Sequence, residues 1–210
     1  MGMPGVGKGT QATRLKEDLG GAHISTGDIL RAAVHDGSPL GRRVRQQVQS
    51  GRLVPDPLMG DLVVERLGER GSLQGFILDG FPRTLGQLQF LDRTLERLEL
   101  PIDRVILLVA PVEQLVRRLE GRRVCPRCDS TYHVETRPPK AAGICDRCGT
   151  ALAQRPDDTG NGIRDRLAAY REQTEPVAGT YRERGMLREV VGTGAPETVF
   201  ALLQGELGLS

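Results

Sequence analysis

The 210 residues carry 29 basic and 27 acidic side chains, a net charge of +2, with four Phe, three Tyr and no Trp. Near-neutral charge gives no signature of a nucleic-acid or membrane partner. No apolar run approaches the roughly 18 residues that span a bilayer, and no charged-then-apolar leader opens the chain. These properties suit a cytoplasmic monomer of one domain with inserts, its core built of Leu, Val, Ile and Ala.

The chain begins Met1-Gly2-Met3-Pro4-Gly5-Val6-Gly7-Lys8-Gly9-Thr10. Glycines at positions 2, 5 and 7 let the backbone turn tightly and aim several N–H groups into one concavity. A helix beginning near Lys8 adds its positive end. Gly5, Val6, Gly7, Lys8, Gly9 and Thr10 therefore read as an anion cradle, with the Lys8 ammonium free to reach outer phosphates. The consensus phosphate loop has Ser or Thr directly after the lysine; here Gly9 intervenes before Thr10. Such a loop normally follows a buried strand of about five residues, yet only Met1 precedes Gly2. The chain thus reads as shortened at its N-terminus, with Met1 or Met3 an internal residue. Without the strand, the loop is expected to lack a rigid base and strand 75–78 to lack a neighbour.

The first helix continues over residues 11–19 and stops at Gly20-Gly21. His23-Ile24-Ser25 is a short strand, and Thr26-Gly27-Asp28 opens a helix to about residue 35. Ser38-Pro39 starts another that Gly51 ends. Asp56-Pro57 reads as an N-cap followed by a first-position proline, launching a helix to about residue 67. A buried strand over 75–78 ends at Asp79. Leu85, Leu88, Leu91, Leu95 and Leu98 recur at three and four, the core-facing stripe of a helix. Residues 105–109 form a continuous apolar strand, followed by a helix over 111–120. A long helix over about 162–184, a strand over 187–191 and a helix over 196–207 close the chain. Strands alternating with helices predict a parallel sheet covered on both faces.

Residues 121–158 break this rhythm. Cys125-x₂-Cys128 and Cys145-x₂-Cys148 are separated by sixteen residues. Each pair makes a tight knuckle whose two thiolates face one point, and two knuckles complete a closed tetrahedral S₄ site, the pattern of structural zinc. Disulfides are the weak alternative in a reducing compartment, and iron also suits a four-cysteine site. His23, His35 and His133 have no partner cluster and receive no catalytic role. Arg42, Arg43, Arg70 and Arg97 read as solvated surface. Arg118 serves the site or caps its helix.

Together these pieces resemble adenylate kinase over nearly the whole chain. The loop is the Gly-Lys-Gly-Thr variant of small nucleoside-monophosphate kinases. Ser25-Thr26-Gly27-Asp28-Ile29-Leu30-Arg31 and Gly51-Arg52-Leu53-Val54-Pro55-Asp56 are similar to the two ends of the family's monophosphate-binding segment. Gly75-Phe76-Ile77-Leu78-Asp79-Gly80-Phe81-Pro82-Arg83-Thr84 is nearly its signature. Gln154-Arg155-Pro156-Asp157-Asp158 and Arg166-Leu167-Ala168-Ala169-Tyr170 are similar to its lid exit and the following helix. The resemblance implies an α/β fold with a P-loop-type parallel five-stranded sheet, its first strand missing here. The core spans 1–24, 55–120 and 159–210. A helical insert at 25–54 and a zinc-ribbon-like lid at 121–158 close over it, with Gly51 and Gly121 at hinge ends.

The implied reaction is reversible phosphoryl transfer from ATP, carried with Mg²⁺, to AMP, giving two ADP. No covalent intermediate is needed; the protein positions, neutralises charge and excludes water. Arginine suits this because its planar guanidinium grips phosphate oxygens bidentately. By resemblance Arg31 and Arg83 hold the acceptor, Arg122, Arg155 and Arg166 close over the transferring group, and Lys8 tracks it. Asp79 orients Mg²⁺-bound water. Thr26 and Gln87 read the acceptor base, with Arg52, Leu53, Val54, Gly80, Phe81 and Pro82 around it. Thr131, Tyr132 and the backbone at Gly194 flank the donor adenine. The Phe81-Pro82 bond is expected to be cis. The chain departs from the family pattern at Asn161-Gly162, where Glu-Thr is usual. The alternatives are a UMP/CMP-type kinase, disfavoured by the long cysteine-bearing lid; a nucleotide- and zinc-binding protein with impaired catalysis; and a zinc-ribbon nucleic-acid module, opposed by charge and scarce aromatics.

Overall fold

Apolar runs too short for helices become strands, and the amphipathic stretches between them pack as helices. The computed structural model describes residues 1–69 and 75–209, so Arg70 lies outside it. Its strands are β1 (Ala22–Ser25), β2 (Phe76–Asp79), β3 (Val105–Val109), β4 (Arg122–Val124), β5 (Thr131–His133) and β6 (Leu187–Val191). Its helices are α1 (Lys8–Leu19), α2 (Thr26–His35), α3 (Pro39–Ser50), α4 (Asp56–Leu67), α5 (Leu85–Leu98), α6 (Val112–Glu120), α7 (Gly160–Ala169), α8 (Glu175–Glu183) and α9 (Pro196–Leu207). No helix among the described residues is long and apolar enough to cross a membrane.

The α/β class is as expected, but the sheet is not one continuous five-stranded surface. Among the described residues it is two parallel pairs, β1 with β2 and β3 with β6. On the β3 side the start of the chain pairs through a short bridge. Gly2 pairs in parallel with Leu108, Leu108 N–H donates to Met1 O at 3.1 Å, and the Met1 amino group donates to Ile106 O. The expectation that the glycine loop lacks a base is therefore corrected. Gly2 is anchored on β3, and the side chain of Val6 is 2 % exposed in a cluster with Leu15, Leu108, Leu115 and Val190. Among the described residues β2 pairs with β1 alone.

The register Ser25↔Asp79 brings the carboxyl ends of β1 and β2 level. Thr26 Oγ1 donates to Gly80 O at 3.0 Å across that end. Alternation sends Ile24, Phe76 and Leu78 into one cluster with Val63, Leu67 and Leu91. It sends Ile77 to the opposite face, against Val6 and Leu15. Clefts at the carboxyl ends of parallel strands are where α/β sheets place ligands.

Three local expectations are revised. Asp56 does not cap α4. It is the helix's first residue, and its carboxylate instead accepts from Thr84 Oγ1 at 2.7 Å and from Gln87 Nε2 at 2.8 Å. Leu85 is 46 % exposed, because as the first residue of α5 it precedes the turn that faces the core. The long helix over 162–184 is interrupted by a π-helical turn at Tyr170–Thr174. Pro176 has no N–H and its ring opposes the carbonyl four residues earlier, so the α ladder cannot run through. The short β4–β5 hairpin carries the cysteine segment.

Candidate active site

The cleft at the carboxyl end of β1 and β2 gathers charge. Lys8, at the start of α1, turns back over the glycine loop and donates from Nζ to Gly2 O at 2.7 Å and Met3 O at 3.0 Å. Burial pushes its ammonium down to about 7, although Asp79 works in the other direction. Gly5 and Gly7 have φ of 84° and 101°, the left-handed region that lets the loop fold round its own concavity. At Gly9 a Cβ would lie 3.4 Å from Asp79 Oδ2. The carboxylate thus stands beside the position where the consensus loop carries a hydroxyl. Burial would raise the Asp79 carboxyl, but His23 and Lys8 outweigh it and hold it at about 2.

On the insert side, Arg31 pairs with Asp28 one turn before it on α2, and Arg155 approaches the same carboxylate at 3.7 Å. Arg83 donates from Nε to Gly80 O at 2.6 Å. Its N–H meets Gln87 Oε1 at 2.8 Å, and its carbonyl accepts from Thr174 Oγ1 at 3.0 Å. Burial and the neighbouring Arg166 push Arg83 down to about 10. Burial and Arg31 do the same to Arg155. One cleft is lined by Thr26, Arg31, Arg52, Leu53, Val54, Gly80, Arg83, Gln87 and Arg166. Phe81 and Pro82 lie buried beside it, and the bond between them is cis.

Arg122 and Arg166 meet on an acid that sequence reasoning gave no role. Asp158, with a side chain 0 % exposed, accepts from Arg122 Nε and Nη2, each at 2.6 Å, and from Arg166 Nη1 at 2.7 Å. Asp157 takes Arg166 at 2.9 Å. Gly162, one of the departures from the family pattern, has a packing reason: a Cβ there would lie 2.9 Å from Asp157 Cα.

The loop after β6 is tied to the strand and helices around it. Gly192 N–H donates to Val109 O at 2.7 Å, Arg118 Nη1 donates to Gly192 O at 2.8 Å, and Gln11 Nε2 donates to Pro196 O at 3.1 Å. Arg118 therefore pins this loop rather than capping its helix, and Gly194 stands exposed in it. Thr131 is exposed on β5. Tyr132 turns its side chain into the cysteine cluster. Its ring is 7 % exposed, packed with Cys125 and Cys145. Its hydroxyl accepts from Asp146 N–H at 2.9 Å and lies 3.5 Å from Cys145 Sγ.

The four cysteines are free thiols whose Sγ atoms all lie within 4.8 Å of one another. Cys125–Cys148, Cys128–Cys145 and Cys128–Cys148 are 3.4, 3.5 and 3.5 Å apart. A tetrahedral site with Zn–S bonds of about 2.3 Å has edges of about 3.8 Å, so the set fits the ion. The knuckles match: Asp129 N–H returns to Cys125 O at 3.0 Å, as Gly149 N–H does to Cys145 O at 2.9 Å. Ser130 and Thr150 hydroxyls lie 3.2 and 3.4 Å from Cys128 and Cys148.

A family model described as adenylate kinase matches residues 1–186. The chain belongs to the adenylate kinase family. It is 44 % identical to an adenylate kinase of Carboxydothermus hydrogenoformans over 207 residues, 99 % of this chain and 97 % of that one. It is 46 % identical to one of Thermodesulfovibrio yellowstonii over 200 residues, 95 % and 93 % of the two chains. To one of Archaeoglobus fulgidus it is 44 % identical over 207 residues, 99 % and 95 %. Of the readings open from the sequence, this favours the nucleoside-monophosphate kinase and not the zinc-ribbon nucleic-acid module.

Two residues beside these charged groups escaped the sequence reading. Asp158 was quoted only as part of a motif, though two adjacent acids amid arginines are a signal for ion-pair hubs. His23 was set aside for want of partners, yet its Nε2 lies 3.8 Å from Asp79 Oδ2. The parallel register of β1 on β2 creates that neighbour, and no local pattern records it.

Proposed function

We propose that the chain transfers the γ-phosphoryl of MgATP to AMP, reversibly, giving two ADP. The observation that carries this is a group of mutually interacting cations: Arg31, Arg83 and Arg166 line one cleft, Lys8, Arg122 and Arg155 bear on them electrostatically, and Asp28, Asp157 and Asp158 pair with four of the arginines. Phosphoryl transfer needs positioning and charge stabilisation with no protein nucleophile. Arg31 and Arg83 grip the acceptor phosphate. Arg122, Arg155 and Arg166 close over the transferring group as segments 25–54 and 121–158 shut out water. Lys8 leaves its loop carbonyls for the phosphoryl oxygens. The glycine-loop amides of residues 5–10 cradle the donor phosphates, and Asp79 orients water on Mg²⁺, which retains several waters when bound.

Acceptor choice falls to Thr26 and Gln87. Gln87 spends one N–H on Asp56 and one lone pair on Arg83 N–H, which fixes its amide orientation. One N–H and one lone pair remain, a donor–acceptor pair suited to a purine edge. The four cysteines hold one structural zinc, which joins the two knuckles and gives the lid a fold its few apolar residues could not supply alone. Reduced thiols suit a cytoplasmic, monomeric enzyme. A coupled assay for ADP formation from ATP with AMP, UMP, CMP or GMP tests the reading. AMP should be preferred by a wide margin; equal or better use of a pyrimidine monophosphate would sink it.

A further inference from the structure

The unabsorbed feature nearest the chemistry is His23. It sits on β1 one position from Ile24, so alternation turns it away from the Ile24, Phe76 and Leu78 core and onto the face shared with Ile77 and Asp79. That face is covered by α1 and the glycine loop. The imidazole is 13 % exposed, and its Nε2 is buried with no hydrogen-bond partner. A buried polar atom left unpaired is costly and calls for an explanation. The Asp79 carboxylate, 12 % exposed, lies 3.8 Å from that nitrogen. Among the described residues no hydrogen bond to another side chain or to backbone orients this carboxylate. Lys8, whose charge acts on it, is turned to Gly2 O and Met3 O. On the other side the carboxylate abuts Gly9, where any side chain would crowd it.

We propose that His23 is the positioning residue of Asp79, its Nε2–H donating to Oδ2 and fixing the direction in which the carboxylate addresses Mg²⁺-bound water at the glycine loop. The gap exceeds a normal N–H···O distance by about 0.8 Å. The terminal torsions of both side chains are broad, so small rotations close it. His23 lies behind Asp79 and touches no reacting atom. Its contribution is orientation, as outer-shell partners orient groups around metals. The loop's missing hydroxyl makes this orientation matter: with Gly9 in place of Ser or Thr, Asp79 is the polar side chain at that spot. This rests on the reading of Asp79 as the group that orients Mg²⁺-bound water, and Asp79→Asn tests that reading separately.

The experiment follows ADP formation against free Mg²⁺ in the full chain for wild type, His23→Leu, His23→Gln and Asp79→Asn. His23→Leu should raise the Mg²⁺ concentration for half-maximal rate about 10-fold, as outer-shell losses typically do. KM for AMP and ADP binding in EDTA should remain within about twofold of wild type. His23→Gln retains an N–H donor and should restore the Mg²⁺ dependence. A purely structural histidine would lower the active fraction in both variants without moving Mg²⁺, and that result overturns the proposal. If Asp79→Asn leaves the Mg²⁺ dependence unchanged, the reading of Asp79 fails and the proposal fails with it. Nitrogen-15 NMR of the wild-type ring, with and without Mg²⁺ and ADP, decides the matter if His23→Leu does not fold. A proton on Nε2 that is protected from exchange supports it; an Nδ1–H tautomer overturns it.

Discussion

Asp158→Ala should be the most damaging single change outside the phosphate-binding residues themselves. Its buried carboxylate accepts three charge-assisted hydrogen bonds, two from Arg122 and one from Arg166. Arg122 Nη2 and Arg166 Nη1 reach the same oxygen at 2.6 and 2.7 Å, so they are at most about 5 Å apart. At an effective dielectric of about 20, two unit charges at that distance repel by about 3 kcal/mol. Deleting the acid removes the bonds and leaves that repulsion offset only by Asp157, which still pairs with Arg166. Breaking a buried pair from one side costs about 3–5 kcal/mol. For a chain of this size each kcal/mol moves the melting temperature by about 2–4 °C, so the expected loss is about 6–20 °C. The arginines would also lose their aim, and a misplacement of about 1 Å costs on the order of 100-fold in rate. Differential scanning calorimetry and steady-state kinetics on the same preparation test both parts. A melting temperature within about 3 °C of wild type, or a kcat that rises because the arginines are freed for phosphate, would refute the reasoning.

Lys8→Met should lower kcat/KM by about 100- to 1000-fold, the usual cost of one preorganised charge contact, yet stabilise the ligand-free protein. Burial holds the folded Lys8 at about 7, below its ordinary 10.5. The unfolded chain therefore binds the extra proton between those values, and wild-type stability rises with pH across that window. The melting-temperature gain of Lys8→Met should be largest below pH 7 and vanish by pH 10; a gain independent of pH counts against it. Gly41→Ala should force α3 off α2, since a Cβ there would lie 1.9 Å from Ala33 O. Overpacking of that kind costs about 1–3 kcal/mol. Because α2 carries Thr26 and Arg31, KM for AMP should rise while KM for ATP holds. Elemental analysis should find one zinc per chain. Its removal by a chelator should lower the first unfolding transition and expose all four thiols to alkylation, and Tyr132→Phe should speed zinc release about 10-fold by removing a hydroxyl from Cys145.

What the sequence discloses about this fold follows from the range of the interactions involved. The helix start at Ser38 was visible because its side-chain oxygen caps a nearby N–H. The two cysteine knuckles were visible because each closes within six residues. Asp56 was misread for the complementary reason. Its motif is that of a cap, but Thr84 and Gln87, some 30 residues away, outbid the local N–H groups. The direction of the Tyr132 ring was not legible, because a resemblance fixes position in the chain and not where a side chain points; the apolar-poor segment takes the ring for its own core. Gly2 on β3 could not be foreseen from one residue of strand, since a single bridge has no periodicity to detect.

The acids of the site are what make its cations compatible with a folded chain. Lys8, Arg31, Arg83, Arg122, Arg155 and Arg166 act on one another electrostatically, and burial with mutual repulsion drives Lys8 to about 7 and Arg83 and Arg155 to about 10. Left alone, such a cluster would expel its members or lose their protons. Asp28, Asp79, Asp157 and Asp158 answer four of the charges, and each contacts or borders a group that the proposed reaction needs. They do not cancel the site. An excess of two positive charges remains, in a cleft of low dielectric that strengthens every contact with an incoming phosphate. Acids of this kind set a balance: fewer would leave the ligand-free site unstable, and more would compete with the nucleotide for the same guanidinium groups. Asp158, fully buried and triply bonded, lies at the structural end of that balance. Asp28, half exposed and shared between Arg31 and Arg155, lies at the end where phosphate can displace it.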